Sequence, residues 1–371
     1  MNKQSPSPSM PSLDPKMNED LARVKAFLEY LQDSSKRGNR ADDAQMAELN
    51  MGRTPHQVLY NEGSCRLLEY DVLGGPKRKI PILMIYSFIN RYYILDLQPN
   101  HSFIEALSKQ GFQVYLLDWG IPGAEHATLG LEYYLETVAR RAVERIRRKH
   151  DNVPLTLFGY CLGGTLAGIM AGLHPNDFAG LVLLTTPLSF REAGILSFWT
   201  NKEFFDPSRL SKAFGVIPED ILHASFPLMQ PKATLSKPRV LFDNILNEDY
   251  IKNFKSIDRW ATDNVPFPGK VFQEFIGGCY QDNLLAQNKL MVGKKRVDLD
   301  AVRCPTLNLF ATHDHIVPPA AARKNAEVLR NSRVQNNEYP VAHLTVTVAH
   351  PVREQVWGDT VRWLDKEGLG G

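Results

Sequence analysis

Gly159-Tyr160-Cys161-Leu162-Gly163 sets one cysteine between two glycines at the end of an apolar, β-prone run, 155–158. After it, Leu166, Ala167, Ile169, Met170 and Leu173 follow a small-residue helical pattern. Strand, tight turn and helix in that order give the context of a nucleophile elbow. Such a turn strains the backbone of its central residue, so the positions on either side must be nearly without side chains. Cys161 would then stand exposed at a helix N-terminus, where the dipole and the free N–H groups favour its thiolate. The plainer alternative is a buried cysteine in a glycine-rich turn. Agreement between motif and context favours the nucleophile.

An elbow of this kind implies an α/β-hydrolase fold, in which an acid and then a histidine follow downstream. The apolar run 306–310 ends in Ala311-Thr312-His313-Asp314-His315, so Asp314 sits where the acid belongs. A weaker candidate strand at 334–339 precedes Pro340-Val341-Ala342-His343. In this order His343 takes the proton from Cys161, while Asp314 orients the imidazole and stabilises its charged form. His350 is the rival base, but it precedes Pro351 and opens the last helix. His313 and His315 flank Asp314, yet alternate strand residues face opposite ways and no metal-ligand spacing accompanies them, so no metal is expected. The oxyanion donors expected are the backbone N–H of Leu162 and that of Phe88 or Ile89 in the loop after an early strand.

These residues need a scaffold of strands covered on both faces. Short apolar runs recur at 81–89, 114–117, 155–158, 181–184 and 306–310, with helical stretches at 102–109, 129–149, 162–173, 320–329 and 352–364. The alternation predicts a mostly parallel sheet with helices on both faces. Residues 44–187 and 298–371 form that core. Residues 188–297 break the alternation: many aromatics (Phe198, Phe204, Phe214, Trp260, Phe267, Phe272, Phe275) are punctuated by prolines. That block reads as an inserted cap over the site, with a second small aromatic core as the alternative. Residues 1–43 comprise a Ser- and Pro-rich tail and an amphipathic helix that docks on its own domain or on a partner.

Of the 371 residues, 43% are hydrophobic and 23% charged, enough apolar content for a sizeable core. A net charge of +2 argues against a nucleic-acid partner. Four cysteines without a C-x-x-C pair suit a reduced, cytoplasmic protein. No apolar core marks the N-terminus as a signal peptide, and no run reaches the roughly 18 residues of a transmembrane segment.

Several segments together resemble the polyhydroxyalkanoate synthases: Phe88-Ile89-Asn90-Arg91-Tyr92-Tyr93-Ile94-Leu95-Asp96-Leu97, Val114-Tyr115-Leu116-Leu117-Asp118-Trp119-Gly120, Gly159-Tyr160-Cys161-Leu162-Gly163-Gly164 and Asp314-His315-Ile316-Val317-Pro318. The resemblance implies acyl transfer from 3-hydroxyacyl-coenzyme A to a growing polyester at a granule surface, by Cys161, Asp314 and His343. It implies no permanently bound cofactor, and a homodimer is expected for the active form. One departure is Ala342, where the family usually has glycine before its histidine. The short chain is similar to two-component members that need a second synthase subunit, whereas the 89–97 stretch looks closer to the long single-component forms. Two other functions compete: a cysteine esterase, thioesterase or depolymerase of the same fold, and an inactive granule-binding homologue. The coenzyme's phosphates would need cations, and Arg140, Arg141, Arg145, Arg147, Arg148 and Lys149 cluster, as do Lys294, Lys295 and Arg296. Solvated surface charge is the favoured account of both clusters.

Overall fold

The computed structural model describes residues 15–34, 43–229 and 239–370; the tail at 1–14 and most of the polar stretch after the first helix lie outside them. The apolar runs become strands of one eight-stranded sheet: β1 (His56–Glu62), β2 (Cys65–Tyr70), β3 (Ile82–Ile85), β4 (Val114–Asp118), β5 (Leu155–Tyr160), β6 (Phe178–Leu184), β7 (Thr306–Ala311) and β8 (Val334–Tyr339). Their order is β1-β2-β4-β3-β5-β6-β7-β8. β1 and β2 pair antiparallel, as do β2 and β4, and the other neighbours are parallel. Every residue of β3, β4, β5 and β7 is buried, which is why these strands read as continuous apolar runs. Alternate side chains feed two cores. Leu83, Ile85, Tyr115, Leu117 and Leu157 enter one, and Ile82, Met84, Val114, Leu116 and Phe158 the other.

Three elements depart from the expected boundaries. The run at 81–89 ends as a strand at Ile85, because the Trp119 indole takes the Tyr86 carbonyl (2.7 Å) and the chain turns into a loop. The stretch at 129–149 winds as a π-helix, Glu132–Ala139, before the α-helix Arg140–Lys149. The helix at 320–329 splits into Pro319–Arg323 and Asn325–Val328. Asn325 is drawn into the core at the split, where it binds Thr186 O, Asn308 Oδ1 and the Leu188 amide.

Between β6 and β7 run the helices Gly194–Trp199, Pro207–Phe214, Glu219–Met229, Glu248–Thr262 and Gly269–Phe275. Among the described residues, the aromatics of this block divide between the two cores of the sheet and a small cluster that holds Tyr250 and Phe254. Phe190, Phe267, Phe272 and Phe275 join the core on one side of the sheet, and Trp260 joins the other. Phe198 (66%) and Phe204 (61%) stay exposed. The N-terminal helix, Pro15–Ser34, docks on this block: Phe27 and Tyr30 pack with Leu241, Ile245, Ile251 and Phe254.

The helix Leu162–Leu173 lies at the centre of the sheet and touches β5 and β6 closely. At Gly164 an added Cβ would stand 1.8 Å from Thr186 Oγ1 and 2.7 Å from Thr186 Cβ. Gly164→Ala should therefore lower stability by about 1–3 kcal/mol, read as a fall in thermal unfolding midpoint. An unchanged midpoint would show that this contact is looser than described.

Candidate active site

Cys161 sits at φ 55°, ψ −124°, a left-handed backbone that a non-glycine residue adopts only when its surroundings impose it. Four hydrogen bonds do so. The Cys161 amide donates to Leu184 O (2.9 Å), and the Cys161 carbonyl accepts from the amides of Gly164 (2.9 Å) and Thr165 (3.3 Å) and from Thr186 Oγ1 (3.3 Å). Thr186 carried no recognisable sequence signal, since a hydroxyl after an apolar run is common. Cys161 is half-buried, whereas Cys65 and Cys279 are fully buried. Burial pushes the Cys65 thiol up to about 12 and Cys304 up to about 11, and raises Cys279 as well, so these three are held away from the thiolate.

The β7 and β8 carboxyl ends bring the other two residues together. His343 Nδ1 donates to Asp314 Oδ2 at 2.6 Å. Asp314 Oδ1 accepts from the amides of Ile316 and Val317, both at 2.8 Å, so the whole carboxylate is engaged and oriented. Both side chains are buried. Burial works against a charged ring at His343, but the Asp314 carboxylate, with Tyr160 and Cys161, outweighs it and holds His343 well above its ordinary range. Its ring lies 5.7 Å from that of Tyr160, the residue before Cys161. With Nδ1 on Asp314, Nε2 is left to exchange protons. His350 stands apart, exposed and bonded to Glu354 at 3.0 Å. Among the described residues no three His, Cys, Asp or Glu side chains converge as metal ligands.

The third component is the loop after β3. Gly163 admits it: an added Cβ there would lie 2.3 Å from Ile85 O and 2.8 Å from the Tyr86 carbonyl carbon. The Leu162 amide, at the first helical position, has no intrahelical acceptor. Of the two loop candidates, Ile89 donates its N–H to Ser87 Oγ at 3.0 Å, which leaves the Phe88 amide. The Phe88 ring is clamped by Trp119 (4.8 Å), Tyr134 (4.8 Å) and Phe267 (5.7 Å).

The basic clusters are largely paired. Arg140 and Arg147 both bind Asp177, Arg141 binds Glu62, Lys149 binds Glu69 at 2.5 Å, and Lys295 binds Glu136. Arg145 lies over the Tyr60 ring at 4.3 Å. These groups brace the outer face of the sheet and helices. Among the described residues, no helix is long and apolar enough to cross a membrane.

Comparison with known proteins bears on the fold and the family. The α/β hydrolase fold family matches residues 80–343, and the family described as poly-beta-hydroxybutyrate polymerase N-terminus matches residues 19–107. Curated relatives named poly(3-hydroxyalkanoate) polymerase subunit PhaC include one from Haloferax mediterranei, 33% identical across 88% of this chain and 67% of its own. Another, from Allochromatium vinosum, is 30% identical across 94% of this chain and 99% of its own. A third, from Synechocystis, is 30% identical across 95% and 94%. Among solved structures, a lipase from Sulfolobus solfataricus described as putative superposes with a TM-score of 0.56 at 16% identity, covering 84% of this chain and 93% of its own. An esterase from Thermogutta terrifontis does so at 0.52 and 17%, covering 84% and 99%. These structures share the fold.

The Asp314–His343 pair gives stability a definite pH dependence. In the unfolded chain the ring titrates near 6.5, and in the folded chain well above it. The stabilisation is therefore complete below the unfolded value and is lost as pH rises through the folded one. Asp314→Asn removes the charge that raises His343. As pH rises above about 6.5, the unfolding midpoint of the parent chain should fall more steeply than that of the variant. Parallel curves would mean that the pair does not stabilise the charged ring.

Proposed function

Because the chain belongs to the poly(3-hydroxyalkanoate) polymerase family, we propose that it is a polyhydroxyalkanoate synthase, moving 3-hydroxyacyl groups from coenzyme A to a growing polyester through a thioester at Cys161. The observation that carries the assignment of roles is the strained Cys161 turn beside a His343 ring already bonded to a buried Asp314. Cys161 Sγ, its proton passed to His343 Nε2, attacks the thioester carbonyl. Charge that develops on the carbonyl oxygen is met by the Leu162 and Phe88 amides. The carbon–sulfur bond to coenzyme A breaks, and the leaving thiolate takes the proton from His343. Exchanging one thioester for another is nearly isoenergetic, so loading is easily passed on.

The second half uses the same groups. A 3-hydroxyl gives its proton to His343 and its oxygen attacks the acyl-enzyme carbonyl; an ester forms and Cys161 departs as thiolate. Alcohol competes with water here. Phe267 and Trp260, which reach the cores from the insertion, support a wall that keeps water out. Exposed Phe198 and Phe204 support contact of the same insertion with the polyester surface. A homodimer and a second synthase subunit belong to the same proposal, and the word subunit in the relatives' names is consistent with the latter.

Cys161→Ala should lower release of free coenzyme A from 3-hydroxybutyryl-coenzyme A by at least about 10³-fold, measured with a thiol reagent. Undiminished release would remove Cys161 from the mechanism. With the parent chain, product analysis over time should find insoluble polymer accompanying free coenzyme A. Soluble 3-hydroxy acid instead would assign a thioesterase, and bound but unreacted substrate a binding homologue.

A further inference from the structure

The loop that carries the Phe88 amide is fastened to one short segment of the insertion. Asn90 and Asn264 form an isolated antiparallel bridge, and the Val265 amide donates to Ile89 O at 3.0 Å. Trp260 Nε1 donates to Arg91 O (2.8 Å), and Tyr93 Oη to Asp263 Oδ2 (2.6 Å). At the centre is the side chain of Asn264, 1% exposed. Its Nδ2 donates to Ala261 O (3.0 Å) and to His223 Nδ1 (2.9 Å), and its Oδ1 accepts from Asn90 Nδ2. Ala261 O can only accept, so it fixes which end of the amide faces which partner. Oδ1 must then face Asn90, and His223 must accept at Nδ1 and carry its hydrogen on Nε2.

We propose that Asn264 is a positioning residue for acyl transfer: it holds the Phe88 amide in donor geometry and joins that loop to the helix Glu219–Met229 through His223. The consequence is that the oxyanion donor is set by the insertion and not by β3 alone. Two constraints on Phe88 agree. Its ring packs on Phe267, three residues beyond Asn264, and its neighbour Ile89 is paired with Val265. A shift of the helix Glu219–Met229 therefore reaches the donor through a chain of three side chains, His223, Asn264 and Asn90. The inference rests on the acyl-transfer reading of Cys161 and Phe88.

The test compares two reactions of the same thiol in the full-length chain. Coenzyme A release from 3-hydroxybutyryl-coenzyme A passes through an oxyanion; alkylation of Cys161 by iodoacetamide, a displacement at a methylene carbon, does not. Asn264→Ala should lower kcat for release by about tenfold to a hundredfold, less than loss of a whole oxyanion donor, with KM little changed. The alkylation rate should be unaltered. His223→Ala should lower kcat by a smaller factor, and in the Asn264→Ala background it should have no further effect. An unchanged kcat, alkylation slowed in parallel, or independent effects of the two substitutions would each overturn the inference. If Asn264→Ala does not fold, His223→Ala decides by the same kcat, KM and alkylation readings. Release that persists in Cys161→Ala defeats the underlying acyl-transfer reading instead, whatever Asn264 does.

Discussion

One backbone conformation organises the molecule: Cys161 at φ 55°. A cysteine enters that region at a cost of about 1–3 kcal/mol, which its surroundings must offset. Here the offset comes from β6 through Leu184 O, from the helix through the Gly164 and Thr165 amides, and from Thr186 Oγ1. The same turn lets Gly163 lie against the carbonyl of Ile85, so the thiol and the loop after β3 are brought together by one close approach.

The acid and base are supplied differently. Asp314 and His343 follow the last two strands of the sheet, and their direct bond is buried with both carboxylate oxygens satisfied. Three donors, the His343 ring and the amides of Ile316 and Val317, hold that carboxylate in place against the imidazole. Charge on His343 is thereby favoured despite burial.

Much of this was legible in the residues. The elbow helix spans Leu162–Leu173 as its periodicity predicts, and the buried strands announce themselves because both their faces are apolar. β8 was faint because its Val-Gln-Asn-Asn-Glu-Tyr sequence leaves only Tyr339 buried, yet parallel pairing to β7 along its whole length makes it a strand. What periodicity does not carry is the direction of single polar side chains. Ser87 Oγ takes the Ile89 amide, and Asn325, turning inward, splits a helix that otherwise reads as continuous. The partners of the arginines also escape a linear reading, since Asp177 lies 37 residues from Arg140 and Glu62 lies 79 from Arg141.

The seating of the N-terminal helix has its own consequence. Phe27 and Tyr30 grip Leu241 and Phe254, and Tyr30 Oη binds Lys255 O at 3.2 Å, so the start of the described chain is anchored to the region between β6 and β7 and rides with it. Evolutionary or engineered change at that helix is thus felt first in the packing of the segment between β6 and β7. A label on the helix would report on that segment without touching Cys161, Asp314 or His343.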